Sequence, residues 1–144
     1  MEMTEEQARY LLFDQDYDCA QAVLTHAASD LDLEEETAMK LCSAFGGGMQ
    51  KGDMCGCVTG ALMALGLKYG FCDPIEKIEK ETMTRKAEEF ERRFEEACGA
   101  LRCRELLGCD VSTPEGKINA GAVIPNRCPG FVTKACCILD EMLP

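Results

Sequence analysis

The chain has no tryptophan, one histidine and three tyrosines in 144 residues, and these shortages narrow its chemistry at once. His26 stands alone, without a cysteine within a few residues of it. Neither a Cys/His zinc knuckle nor a C-x-x-C-H haem attachment site is therefore encoded, and His26 reads as a satisfied or exposed side chain. No basic stripe interleaved with aromatics runs along the chain, which argues against a nucleic-acid partner. The longest nearly apolar run, Met54 to Leu67, is interrupted by Thr59 and falls short of the ~18 residues that span a bilayer. The amino terminus, Met1-Glu2-Met3-Thr4-Glu5-Glu6, lacks an apolar h-region, so no export signal is read there. A soluble cytoplasmic protein, with no membrane partner, is the expectation.

Acid and cysteine are what the chain has in excess. Its net charge is −11. The acids crowd into residues 1–37, where Arg9 is the only base. Such a surface keeps a protein in solution, and it could steer a basic partner. Eleven cysteines are far above ordinary usage. A chain of this length buries roughly two-thirds of its unfolded surface without disulfide staples. In a reducing compartment that richness points to metal or redox work rather than scaffolding.

The pattern is helical nearly throughout, with no alternating strands, linkers or repeats. Thr4-Glu5-Glu6-Gln7 is a capping box that opens a first helix to about Phe13. A second runs from about Tyr17 to Ala28, and a third opens at Asp32-Leu33-Glu34-Glu35 and ends at Gly46-Gly47-Gly48. Asp53 caps a fourth, Met54 to Tyr69, which is apolar all round and so belongs at the centre of a bundle. The fifth starts at Asp73-Pro74 and carries Ile75, Ile78, Met83, Ala87, Phe90, Phe94 and Ala97 as one stripe. Core packing is the first reading of that stripe, and a homodimer contact the second. A sixth helix covers Leu101 to Leu107. Residues 108–127 read as an irregular loop, and Pro129 opens a last helix ending near Met142. The class is all-α, a single domain of six or seven helices around a buried apolar helix.

Against this map, Cys19, Cys55, Cys103 and Cys128 each fall where a helix begins. A helix start offers unpaired N–H groups and the positive end of the macrodipole. A cysteine there tends towards the thiolate that attacks disulfides or ligates metals. Within a helix, residues two apart point about 200° away from each other, so Cys57 reads as a small buried residue and Cys55 as the working member of Cys55-Gly56-Cys57. Cys136-Cys137 reads as two packed or idle thiols, and Cys42, Cys72, Cys98 and Cys109 as packing residues. Gly46-Gly47-Gly48, ahead of the fourth helix, lacks the order of a phosphate loop. Its backbone reads instead as a nest for an anionic sulfur or cluster, with Gly56 beside it.

These residues resemble a known family. Asp18-Cys19-Ala20-Gln21-Ala22-Val23-Leu24, Ala44-Phe45-Gly46-Gly47-Gly48-Met49, Cys55-Gly56-Cys57-Val58-Thr59-Gly60-Ala61-Leu62-Met63, Cys103-Arg104-Glu105-Leu106-Leu107-Gly108 and Cys128 before an apolar helix are similar to the C_GCAxxG_C_C family of redox-active proteins. The likeness runs from about residue 9 to residue 140. The family's four recurring cysteines fall on Cys19, Cys55, Cys103 and Cys128, and Cys57 stands where the family usually has Ala. A related module occurs in split-Soret cytochromes, which bear an iron–sulfur centre along with haem. The resemblance implies redox or metal function.

Three functions follow as expectations. The first is an iron–sulfur cluster, 2Fe–2S, held by Cys19, Cys55, Cys103 and Cys128 for electron transfer or redox sensing, its charge offset by Gly46–Gly48, Arg102 and Arg104. The second is thiol–disulfide exchange with a redox partner protein through the same cysteines, without metal. The third is a structural zinc site, whose weakness is that its ligands are scattered where zinc modules use local pairs.

Overall fold

The computed structural model describes residues 2–144. Among them the secondary structure is helical, with a single isolated antiparallel bridge, Met54 to Arg102. Thr4 caps α1 (Glu5–Arg9) through a reciprocal box with Gln7, and the helix widens into a π-type turn over Tyr10–Asp14. Asp18 builds the same box with Gln21 at the start of α2 (Cys19–Ala28), its carboxylate accepting from the Gln21 N–H at 2.8 Å. Next come α3 (Glu35–Leu41), α4 (Gly56–Tyr69), α5 (Lys77–Cys98), α6 (Cys103–Leu107) and α7 (Pro114–Met142).

α4 is the buried centre. It packs on α2, α5 and α7, and Cys57, Val58, Ala61, Ala64 and Leu65 are fully buried. Its glycines let α2 come close. A Cβ on Gly60 would lie 2.7 Å from the Ala20 carbonyl oxygen, and one on Gly56 would lie 2.9 Å from the Ala20 nitrogen. The carboxyl half of α5 completes the core with Phe90 stacked on Phe94 and Phe131 edge-on to Phe94. His26 is satisfied: its Nε2 sits 2.9 Å from Asp140, tying α2 to α7.

Several sequence expectations need correction. α3 ends at Leu41 rather than at the glycines, because Ser43 turns back and donates its hydroxyl to the Lys40 carbonyl at 2.9 Å. α5 begins at Lys77, since Asp73 is spent on a turn that receives the Ile75 and Glu76 N–H groups. Ile75 and Ile78 are consequently exposed, and only the carboxyl half of the expected stripe, Phe90 and Phe94, is buried. Residues 108–127 are not an irregular loop. From Pro114 they belong to α7, which Thr113 caps by accepting from the Gly116 N–H at 2.9 Å. Pro125 and Pro129 lie inside this helix. A proline there costs about 3 kcal/mol, but Gly116, Ala120, Cys128, Val132, Ala135 and Leu139 recur at helical spacing and are all buried, so packing of that face overrides the local break. Cys128 thus lies in mid-helix, without the favourable field of a helix start.

No helix among the described residues is long and apolar enough to cross a membrane.

Candidate functional site

Backbone pairing brings two of the cysteines together. The Cys55 N–H donates to the Leu101 carbonyl at 2.9 Å, and the Cys103 N–H donates to the Asp53 carbonyl at 2.7 Å. The short segments before α4 and α6 therefore run antiparallel, with Cys55 as the N-cap of α4 and Cys103 as the first residue of α6. The tight contact of α2 on α4 places Cys19, the first residue of α2, beside them, and mid-α7 supplies Cys128.

All four line one cavity of about 570 Å³, and so do Gly46, Gly47, Gly48 and Gly56. Around the thiols its wall is largely apolar, with Leu106, Ile124 and Phe131 from α6 and α7. Lys117 is its one lining cation, and Asp16 and Asp18 are its acids.

The glycine wall has an unusual backbone. Gly47, Gly48, Met49 and Gln50 all have φ near +60°, four left-handed residues in succession. For Met49 and Gln50 this conformation costs roughly 1–2 kcal/mol each. The turn is held from outside: Arg104 donates Nε to the Gly52 carbonyl at 2.9 Å and Nη2 to the Lys51 carbonyl at 3.0 Å. Arg104 is thus committed to the loop, and Arg102 is exposed. On the α2 side Gly46 lies against Asp18. A Cβ on Gly46 would collide with that Asp18 side chain.

Hydrogen bonding from the Cys128 and Cys57 thiols holds the Cys19 pKa well below the ordinary thiol value, against the opposing effect of burial. Its place at the start of a ten-residue helix works in the same direction. Donating to Cys19 pushes the Cys57 and Cys128 thiols upward, and burial adds to this. Cys103 is pushed up to about 12, chiefly by burial and then by its neighbouring sulfurs. One thiolate among several held thiols is the electrostatic pattern of the site. Burial also raises the carboxyl of Asp18.

Cys57 is fully buried, as its sequence position suggests. It does not line the cavity. Cys55, at φ −56° and ψ 138°, precedes the helix, so helical geometry does not fix the angle between positions 55 and 57. Cys42 and Cys98 are held as thiols near 11, mainly by burial, and Cys136 is buried beside an exposed Cys137. Cys72 is exposed rather than packed. All eleven cysteines are free thiols. Among the described residues, no group of three or more His, Cys, Asp or Glu side chains is disposed to hold a metal ion.

No curated protein and no solved structure matches the chain. A family model does: the one described as "Putative redox-active protein (C_GCAxxG_C_C)" matches residues 17–142. That match takes in all four cysteines of the cavity and nearly the whole fold, and the chain belongs to the cysteine-rich, redox-active C_GCAxxG_C_C family.

Proposed function

We propose that the cavity is a thiol–disulfide centre in which Cys19 is the attacking sulfur and Cys128 the resolving one. The observation that carries this reading is that Cys19, at the start of α2, lines the same cavity as Cys128, and its thiol is held below the ordinary value. A thiolate is the nucleophile in exchange, and a second thiol in contact with it completes a disulfide. Cys19 attacks one sulfur of a partner protein's disulfide, forming a mixed disulfide and releasing the partner's other sulfur as a thiolate. The Cys128 thiol then attacks Cys19. A Cys19–Cys128 bond forms, the partner's remaining sulfur leaves, and the Cys128 proton passes to it. The partner is reduced by two electrons and this chain is oxidised by two. A cytoplasmic thiol pool would return it to the dithiol.

Cys128 rather than Cys57 resolves at the cavity because it lines that space, whereas Cys57 has no exposed surface. The apolar wall limits water around the mixed disulfide.

A second reading, the iron–sulfur cluster, is favoured by one observation: thiols from four separate elements face the same cavity. They fit such a cluster in kind and number, and when bound it would supply one-electron transfer. The residues that would hold it are Cys19, Cys55, Cys103 and Cys128, while the spacing of their side chains makes no single-ion site as it stands.

One preparation separates the two. Protein purified without oxygen is assayed for iron, acid-labile sulfide and absorption between ~400 and ~460 nm, then exposed to oxidised glutathione and mapped by mass spectrometry. A colourless, iron-free protein that forms a Cys19 mixed disulfide, and loses it in Cys19→Ser, supports exchange. A brown protein bleached by dithionite, whose cysteines do not react with glutathione, overturns it in favour of the cluster.

A further inference from the structure

Besides its thiols, the cavity carries two charges that the exchange just described does not use. Lys117 is its one lining cation, and Asp16 is one of its two acids. The other acid, Asp18, is committed to the capping box of α2. Lys117 and Asp16 are exposed, and among the described residues neither takes part in an ion pair, with each other or with any third group. Each shares a segment with a working thiol: Asp16 leads into Cys19, and Lys117 lies on α7 with Cys128. Lys117, Ala120, Ile124 and Cys128 follow at helical spacing and all line the cavity. That face of α7 thus runs from a charge, past an apolar stretch, to a sulfur, roughly 16 Å at ~1.5 Å per residue. A space of about 570 Å³ is the size of a small-molecule site.

We infer that Lys117 and Asp16 bind the thiol that returns the oxidised protein to its dithiol form, and that this thiol is a small zwitterionic peptide of the glutathione class. This rests on the exchange reading above and names the reductant of that same site. Lys117 takes a carboxylate of the ligand and Asp16 its ammonium, while the sulfur between them meets Cys19. An extended tripeptide spans about 10 Å, and the flexible stem of Lys117 covers the remaining reach. A single amino-acid thiol is too short to hold both charges with its sulfur on Cys19. In the first step the bound thiol attacks Cys19 in the Cys19–Cys128 disulfide. The bond from the ligand to Cys19 forms, the Cys19–Cys128 bond breaks, and the ligand's proton passes to Cys128. A second thiol attacks the ligand sulfur, so that the ligand leaves as its own disulfide and the second proton passes to Cys19. Two thiols lose two electrons between them, and the protein gains two.

The test uses the whole chain, oxidised with diamide, and follows the loss of its Cys19–Cys128 peptide by acid quenching and mass spectrometry. Four reductants are compared over a range of concentrations: glutathione, its diethyl ester, cysteine and 2-mercaptoethanol. The rate with glutathione should saturate, whereas the other three should give straight lines. Lys117→Gln and Asp16→Asn should each lower the ratio of the glutathione rate to the 2-mercaptoethanol rate by about threefold or more. A straight line with glutathione, or a ratio that neither variant moves, overturns the Lys117–Asp16 site and leaves the exchange reading standing. Absence of a Cys19–Cys128 disulfide after oxidation overturns both. The comparison of glutathione with its ester needs no variant, so a folding defect in either substitution does not blunt the test.

Discussion

Cys55 and Cys103 are held side by side by main chain, through the N–H of Cys55 on the Leu101 carbonyl and the N–H of Cys103 on the Asp53 carbonyl. Neither bond depends on a side chain, so replacing either sulfur leaves the two segments paired. What the sulfurs do can therefore be separated from what holds them, and the same logic applies to the rest of the cavity.

The contact of α2 on α4 is the first place to test it. Gly60→Ala would gain about 1 kcal/mol of helix propensity, but its Cβ would meet the Ala20 carbonyl oxygen at 2.7 Å and the Ala20 Cα at 3.1 Å. Backbone cannot yield as a side-chain tip can, and overpacking of this kind costs about 1–3 kcal/mol. Gly66→Ala on the same helix meets nothing within 4 Å, so it should stabilise by up to about 1 kcal/mol. Urea unfolding should shift the two midpoints in opposite directions. Equal shifts would mean that the helices are not in contact at Gly60.

Cys19 should alkylate as a thiolate at pH values where its neighbours do not. Its pKa is lowered by donors from Cys128 and Cys57, whereas Cys98 is held near 11 and Cys103 near 12. Iodoacetamide at neutral pH should label Cys19 well ahead of those two, as read by peptide mass spectrometry. Cys128→Ala removes the first donor, so the midpoint of Cys19 labelling should move to higher pH. A midpoint that stays where it was would show that the donor does not matter.

Stability should fall in mild alkali. The thiols of Cys42, Cys98 and Cys103 are raised to about 11, 11 and 12 in the fold. An unfolded chain releases those protons near pH 8.5. The fold thus binds more protons than the unfolded state between about pH 9 and pH 12, and its stability declines as pH rises through that window. The lowered Cys19 acts oppositely and only below the ordinary thiol range. Melting temperatures measured under strong reductant should drop from pH 8 to pH 10, and less so in Cys103→Ala once its own baseline is subtracted.

Arg104 clamps the left-handed turn with two donors on the carbonyls of Gly52 and Lys51. Lysine presents a point charge rather than a planar fork, so Arg104→Lys should loosen residues 48–52 with little effect on the core. Faster amide exchange there, and faster tryptic cleavage after Lys51, are the expected results. Protection equal to that of the unchanged chain would mean that the glycines hold the turn without help.

The capping boxes at Thr4 and Asp18, the buried apolar α4 and the cysteines opening α2, α4 and α6 were legible because each is a local signal. A side-chain oxygen meets an N–H three residues on, or apolar residues recur at helical spacing. Elsewhere a local signal lost to packing or to a competing turn. Pro125 and Pro129 read as breaks, yet α7 runs through them because Ala120, Cys128 and Val132 are buried along one face. Asp73-Pro74 read as a helix start, yet Asp73 spends its carboxylate on a turn.

By itself, the sequence determined an all-α chain rich in thiols, with sulfur set at helix starts and glycines where backbones must touch. It could not say which sulfurs meet. Only tertiary structure decided that Cys128, in the middle of a helix, faces the same cavity as Cys19. The reason is physical: a helix start depends on the residues around it, whereas the distance between two thiols on different helices depends on how closely those helices pack. Here that closeness is set by Gly56 and Gly60, whose missing side chains bring α4 against the backbone of Ala20.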